Sequence, residues 1–147
     1  MNTLETILIA AAQRAKAKVL PYAGELTPQE AFDALQQEAL TLVDVRSQAE
    51  LDLVGRVPNA KHIEWAFYPG MLPNAEFSTQ LQNLIDKNQL IVFMCRTGGR
   101  SHNAAVLASE LGYIAYNMLE GFEGVANEKK QRTLINGWKH AGLPWSN

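Results

Sequence analysis

The chain predicts an α/β domain around a mostly parallel sheet, on three observations. Short β-rich runs alternate with stretches of helical spacing, the order that βα units produce. Two of the runs, residues 41–45 (TLVDV) and 90–94 (LIVFM), are near-continuous in apolar residues instead of alternating, which marks strands covered on both faces. Helix-start signals recur between the runs, at Thr27, Pro28 and Glu30 and again at Ser47 and Glu50. With 147 residues, 47% of them hydrophobic and 19% charged, the chain suits one domain with its own core.

The elements follow in order. Residues 1–20 are expected as an amphipathic N-terminal helix, with Leu4, Leu8, Ala11 and Ala15 on one face. Glu5 stands where a signal peptide would carry positive charge, and no stretch reaches the roughly 20 apolar residues of a membrane span. The helix face therefore packs on its own domain or on a partner, a homodimer among the choices. The domain proper is expected over 21–147. Pro21, Tyr22 and Gly24 break the first helix. Thr27 then caps a second, with Pro28 at its first position and Glu30 closing a capping box. Ala31, Ala34, Leu35 and Ala39 supply its apolar face, and it should end near Ala39.

A strand over 41–45 follows, then a short helix from the Ser47 and Glu50 box to about Leu53. Gly55, Pro58 and Asn59 make a turn, and 60–63 reads as a short strand. Residues 65–74 read as irregular, with Pro69-Gly70 and Pro73-Asn74 as breakers. Phe77, Leu81, Leu84 and Ile85 restore helical spacing. The strand at 90–94 is the strongest in the chain. A helix over 101–111 follows, stopped by Gly112, then a strand over 114–118 and a final helix-and-loop region.

Composition excludes several functions. A formal net charge of -2 provides no global basic field for nucleic acid. A single cysteine excludes a disulfide framework, and three scattered histidines show no metal-ligand spacing, so no metal is expected. The lone thiol fits a reducing compartment, which places the cytoplasm ahead of the periplasm.

The chemistry concentrates in Cys95-Arg96-Thr97-Gly98-Gly99-Arg100-Ser101. Cys95 leaves a buried strand at its carboxyl end, where ligands of such sheets gather. The next helix points its first N–H groups and its dipole back at the loop. Gly98 and Gly99 permit a tight turn, and Arg96 and Arg100 add positive charge. These features favour a thiolate, the reactive form, and a bound anion. An inert strand-end cysteine would not require two flanking cations. Cysteine phosphatases resemble Cys-x5-Arg, whereas four residues separate Cys95 from Arg100 here. The narrower cradle argues for a terminal sulfur over a phosphate ester.

In this loop the sequence resembles the rhodanese family of sulfurtransferases. Two further segments carry the resemblance: Leu42-Val43-Asp44-Val45-Arg46 with Glu50 and Gly55-Arg56-Val57-Pro58-Asn59-Ala60, and Glu120-Gly121-Phe122 with Gly124, Trp138 and Gly142-Leu143-Pro144. Arg56 and Asn59 depart from the family pattern, where histidine and glycine are usual, and the 64–76 segment is longer and more aromatic than a minimal domain needs. The resemblance implies a three-layer rhodanese-like domain, its central five-stranded sheet flanked by helices, with the N-terminal helix as an addition. It implies a sulfane-sulfur transfer through a Cys95 persulfide, without a cofactor. The donor is a small anion such as thiosulfate, and the acceptor cyanide or a thiol. Arg96, Thr97, Gly98, Gly99, Arg100 and Ser101 would bind the substrate. The alternatives are a non-catalytic binding or sulfur-carrier module, a 3-mercaptopyruvate sulfurtransferase and a cysteine phosphatase.

Asp44, Arg46 and Glu50 are expected to support the site. Asp44 could orient the cysteine loop, and Arg46 is expected to pair with a carboxylate, Glu50 being the candidate. His62 reads as structural, and Trp65, Phe67 and Tyr68 as either a wall of the site's mouth or a satellite core.

Overall fold

The computed structural model describes residues 3–147; Met1 and Asn2, the start of the expected N-terminal helix segment, lie outside the described residues. Five strands form the main sheet: β1 (Gly24–Leu26), β2 (Thr41–Asp44), β3 (Lys61–His62), β6 (Leu90–Met94) and β7 (Ile114–Met118). Their order is β1-β7-β6-β2-β3, and every pairing is parallel. The carboxyl ends of β2, β6 and β7 therefore lie along one edge. Two short strands, β4 (Ala66–Phe67) and β5 (Leu72–Pro73), form a separate antiparallel ribbon.

Both faces of the sheet are covered. On one, Leu42, Val92, Met94, Tyr116 and Met118 pack with Ile7 and Ala11 of α1 (Leu4–Lys18) and Ala31 and Ala34 of α2 (Pro28–Gln36). On the other, Val43, Ile91, Phe93 and Ala115 pack with Phe77 and Leu81 of α4 (Phe77–Leu84) and Ala104, Ala105 and Ala108 of α5 (Gly99–Glu110). Successive strand residues alternate between two apolar layers, so the runs read as continuous. The last helix, α3 (Gln48–Val54), buries Leu51 beside the carboxyl edge. Among the described residues, no helix is long and apolar enough to cross a membrane.

Both capping boxes form. Thr27 Oγ1 accepts from Glu30 N–H and Glu30 accepts from Thr27 N–H; Ser47 and Glu50 do the same for α3. The apolar face of α1 turns onto its own domain through Ile7, Ala11 and Ala15, with Leu4 and Leu8 at its margin. Arg14 adds a paired contact to Glu30 at 2.6 and 3.1 Å.

The structure departs from the sequence reading in four places. Gly24, expected as a breaker, starts β1, and all three residues of that strand are buried. The second helix stops at Gln36, ahead of Ala39, because Glu38 adopts a left-handed conformation (φ 56°) that turns the chain toward β2. The 65–74 segment contains the β4–β5 ribbon, whose two-residue strands are too short to show a period. Residues 119–147 form turns and loops, with no final helix.

Gly24 is required by close approach: a Cβ there would strike the carbonyl of Ala11 on α1. Gly24→Ala is expected to lower the unfolding free energy by about 1–3 kcal/mol, read as a lower urea midpoint at unchanged slope.

Candidate active site

Cys95 follows β6 directly and is 1% exposed. Its Sγ accepts the Gly98 N–H at 3.1 Å and lies 3.3 Å from Ser101 Oγ. Ser101 is fully buried in the first turn of α5, and its hydroxyl donates to Asn117 Oδ1 at 2.6 Å. Asn117, on the neighbouring β7, also donates from Nδ2 to the Gly98 carbonyl at 3.3 Å. One amide thus holds both groups that touch the sulfur. Gly98 itself has φ 126°, a region that strains any residue with a Cβ.

The loop is held from behind by the chain after β7. Phe122 N–H donates to the Cys95 carbonyl at 2.9 Å, while Glu123 and Gly124 N–H share the Arg96 carbonyl at 3.1 and 3.2 Å. Gly121 passes so close that a Cβ would collide with the Arg96 carbonyl. Trp138 fixes this segment in turn: its N–H donates to the Gly121 carbonyl, and its ring is fully buried.

The charged residues pair differently from the sequence expectation. Arg46 pairs with Asp44, at 2.7 Å and with both side chains buried, and donates to the Gly55 carbonyl. Asp44 also accepts the Arg46 N–H, so its two oxygens serve Arg46 and not the cysteine loop. Glu50 instead takes Arg100 in a two-pronged pair, at 2.6 and 2.9 Å. The reason is placement: the Ser47 cap holds Glu50 at the mouth of the loop, whereas Arg46 is turned inward over the Phe122 ring, 4.2 Å from its centre. Burial pushes the Glu50 carboxyl up, but hydrogen bonds from Arg100, its charge, and the Ser47 donors outweigh this and bring it down to about 2. The same hydrogen bonds raise the Arg100 guanidinium further, against the desolvation that would lower it.

A cleft of ≈ 500 Å³ adjoins the loop through Arg96 and Arg100. Arg96, Arg100, Glu50 and Glu123 line one part of it; Leu53, Val54, Tyr68 and Met71 form an apolar wall. The aromatic 64–76 segment thus divides. Tyr68 faces the cleft, Trp65 stacks edge-on to Phe77 in the core at 4.9 Å, and Phe67 lines a separate hollow beside His62. His62 bonds the Arg46 carbonyl at 2.7 Å and does not line this cleft. Arg56 pairs with Asp52 and bridges to Ser146, and it does not line the cleft.

Sequence reasoning missed Asn117. Its position in a buried strand was the available signal, since a buried amide needs partners.

A family model for the rhodanese-like domain matches residues 27–128. A protein of Rickettsia prowazekii, RP600, is 35% identical over 107 residues, covering 71% of this chain and 80% of its own. The thiosulfate sulfurtransferase GlpE of Actinobacillus succinogenes is 31% identical over 121 residues, covering 82% of this chain and 87% of its own. The crystal structure of Rv0390 from M. tuberculosis superposes with a TM-score of 0.78 at 36% identity, covering 85% of this chain and 98% of that one.

Two expectations follow from this geometry. Because Cys95 is the only cysteine, iodoacetamide followed by intact mass reads one site. Gly98→Ala, which a φ of 126° strains, should displace the N–H that the sulfur accepts and slow alkylation about tenfold at neutral pH, the loss of one hydrogen bond to a charged group. The depressed Glu50 carboxyl stabilises the fold fully above its ordinary value of 4.5 and loses that contribution as pH falls toward 2. Urea titrations across that range should show a steeper loss in wild type than in Glu50→Gln.

Proposed function

The chain belongs to the rhodanese-like family, and from that premise we propose that it is a sulfurtransferase working through a Cys95 persulfide. The single observation that carries the reading is the surroundings of Cys95 Sγ: a buried sulfur that accepts the Gly98 N–H at 3.1 Å. A donor fixed beside a sulfur stabilises negative charge on it without reorganising. The same surroundings serve a thiolate before transfer and a persulfide after it.

The transfer runs in two steps. The Cys95 thiolate attacks the outer sulfur of a donor such as thiosulfate. A new S–S bond forms, the donor's own S–S bond breaks, and its electron pair departs on sulfite. The outer sulfur then stays on Sγ as a persulfide. A nucleophilic acceptor, cyanide or a thiol, takes that sulfur, and the bond to Cys95 breaks with its electron pair returning to Sγ. Neither step needs a separate base once the thiolate is present.

Asn117 positions Ser101 and Gly98, and Glu50 positions Arg100 at the loop's end. Arg96 is the cleft-lining cation without an ion-pair partner among the described residues, and it is the charge available to a donor anion. The four-residue interval between Cys95 and Arg100 favours this chemistry over a phosphatase. The similarity to GlpE points the same way.

Incubation with thiosulfate should add the mass of one sulfur to wild type and none to Cys95→Ser, and only wild type should then form thiocyanate from cyanide. A Cys95→Ser protein that still transfers sulfur, or a wild-type protein with a free thiol that hydrolyses an aryl phosphate and takes no sulfur, contradicts the assignment.

A further inference from the structure

We propose that the sulfur acceptor is an organic thiol with an apolar body, and that Leu53, Tyr68 and Met71 form the wall that selects it. The inference rests on the sulfurtransferase reading and narrows its acceptor.

Three observations carry it. The first is size: a cleft of ≈ 500 Å³ falls within the range of about 300–1,000 Å³ that holds organic ligands. Cyanide or thiosulfate would leave most of it empty.

The second is charge. The sequence suggested a strongly cationic mouth, but the cleft's four charged side chains, Arg96 and Arg100 against Glu50 and Glu123, are two of each sign. Arg100 is already committed to Glu50 at 2.6 Å. A compact dianion therefore gains little from the cleft as a whole, and long-range selection of small anions is weak.

The third is the opposite wall. Leu53 is 83% exposed, Tyr68 66% and Met71 42%. They come from different elements, the last turn of α3 and the turn between β4 and β5, yet line the same cleft. Scattered apolar residues on a surface mean little. Three that share a cleft with Val54 and with Arg96 and Arg100 of the cysteine loop make a place for apolar surface next to the loop that carries the chemistry. Because Cys95 is 1% exposed, a bulky acceptor must bring its thiol to the loop while its body rests in the cleft, against this wall.

The step balances without another reactant. The acceptor thiolate R–S⁻ attacks the outer sulfur of Cys95–S–SH, and the bond to Cys95 breaks with its electron pair on Sγ. The products are R–S–SH and the Cys95 thiolate.

The test uses the full-length protein loaded with thiosulfate, freed of excess donor, and discharged in parallel by cyanide, 2-mercaptoethanol and benzyl mercaptan. Intact mass follows the loss of the sulfur. Wild type should discharge to benzyl mercaptan about tenfold faster than to 2-mercaptoethanol, the scale of discrimination that a few apolar contacts supply. Each rate is expressed against cyanide on the same sample. In Leu53→Ser/Met71→Ser, and separately in Tyr68→Ser, that preference should collapse toward unity. These positions are exposed, and a circular dichroism spectrum unchanged from wild type confirms folding.

Equal rates for the two thiols in wild type overturn the proposal, as does a folded double variant that keeps the preference. In both cases loading has succeeded and the sulfurtransferase reading stands. A wild-type protein that accepts sulfur neither from thiosulfate nor from an organic persulfide overturns that reading and this proposal together.

Discussion

The carbonyls of Cys95 and Arg96 are claimed from behind, and the rest of the site depends on that. Phe122, Glu123 and Gly124 donate to them from the chain after β7. With its carbonyls turned outward to these donors, the loop curls back so that the Gly98 N–H meets Sγ. The long irregular segment 119–147 is therefore part of the site's architecture. Its own backbone would be costly to bury without partners, and the buried Trp138 ring, whose Nε1–H donates to the Pro144 carbonyl, keeps it folded against the domain. A glycine at 121 is the condition for the approach, since a Cβ there has no room beside Arg96.

Two ion pairs then divide the charged residues between structure and site. Asp44 and Arg46 form a wholly buried pair at the end of β2. One guanidinium nitrogen, Nη1, has no hydrogen-bond partner among the described residues, and the Phe122 ring 4.2 Å from the guanidinium carbon supplies part of the compensation through its π face. Phe122 thereby joins the sheet edge to the segment that backs the loop. Glu50 does two tasks from one position: it closes the cap of α3 and holds Arg100. A cap is a local device, but here its carboxylate also spans to another helix and orients a residue of the loop.

Much of this was legible from local patterns and some was not. Strands β6 and β7 were readable to the residue, and both capping boxes formed, because each rests on neighbours in sequence. The reading failed where distant contacts decide. Gly24 looked like a breaker by composition, yet it opens a strand because α1 must pass within contact of it and β7 offers a parallel partner. Arg46 and Glu50, four apart, looked like a pair. The fold overrode that spacing, since Arg46 turns into the core while Arg100 arrives at Glu50 from across the sheet edge. Asn117 carried no motif at all. Its importance comes from β7 lying beside β6, a long-range pairing that brings its amide to Ser101 and Gly98.

The pairing of Arg100 changes how the loop must work. Two arginines beside a thiol suggest that charge gathers the anion. With Arg100 bound to Glu50, its charge is largely answered before any substrate arrives. Selectivity then passes to what acts at contact distance, the Gly98 N–H at 3.1 Å from the sulfur. Such dipoles fall off faster with distance than charges do, so they favour negative charge on the Cys95 sulfur itself over charge elsewhere in the cleft. In the proposed transfer this is useful, because the sulfur is the atom whose charge changes in each step. The remainder of the cleft, electrically balanced and apolar on one side, is left free to respond to the shape of the molecule that comes for the sulfur.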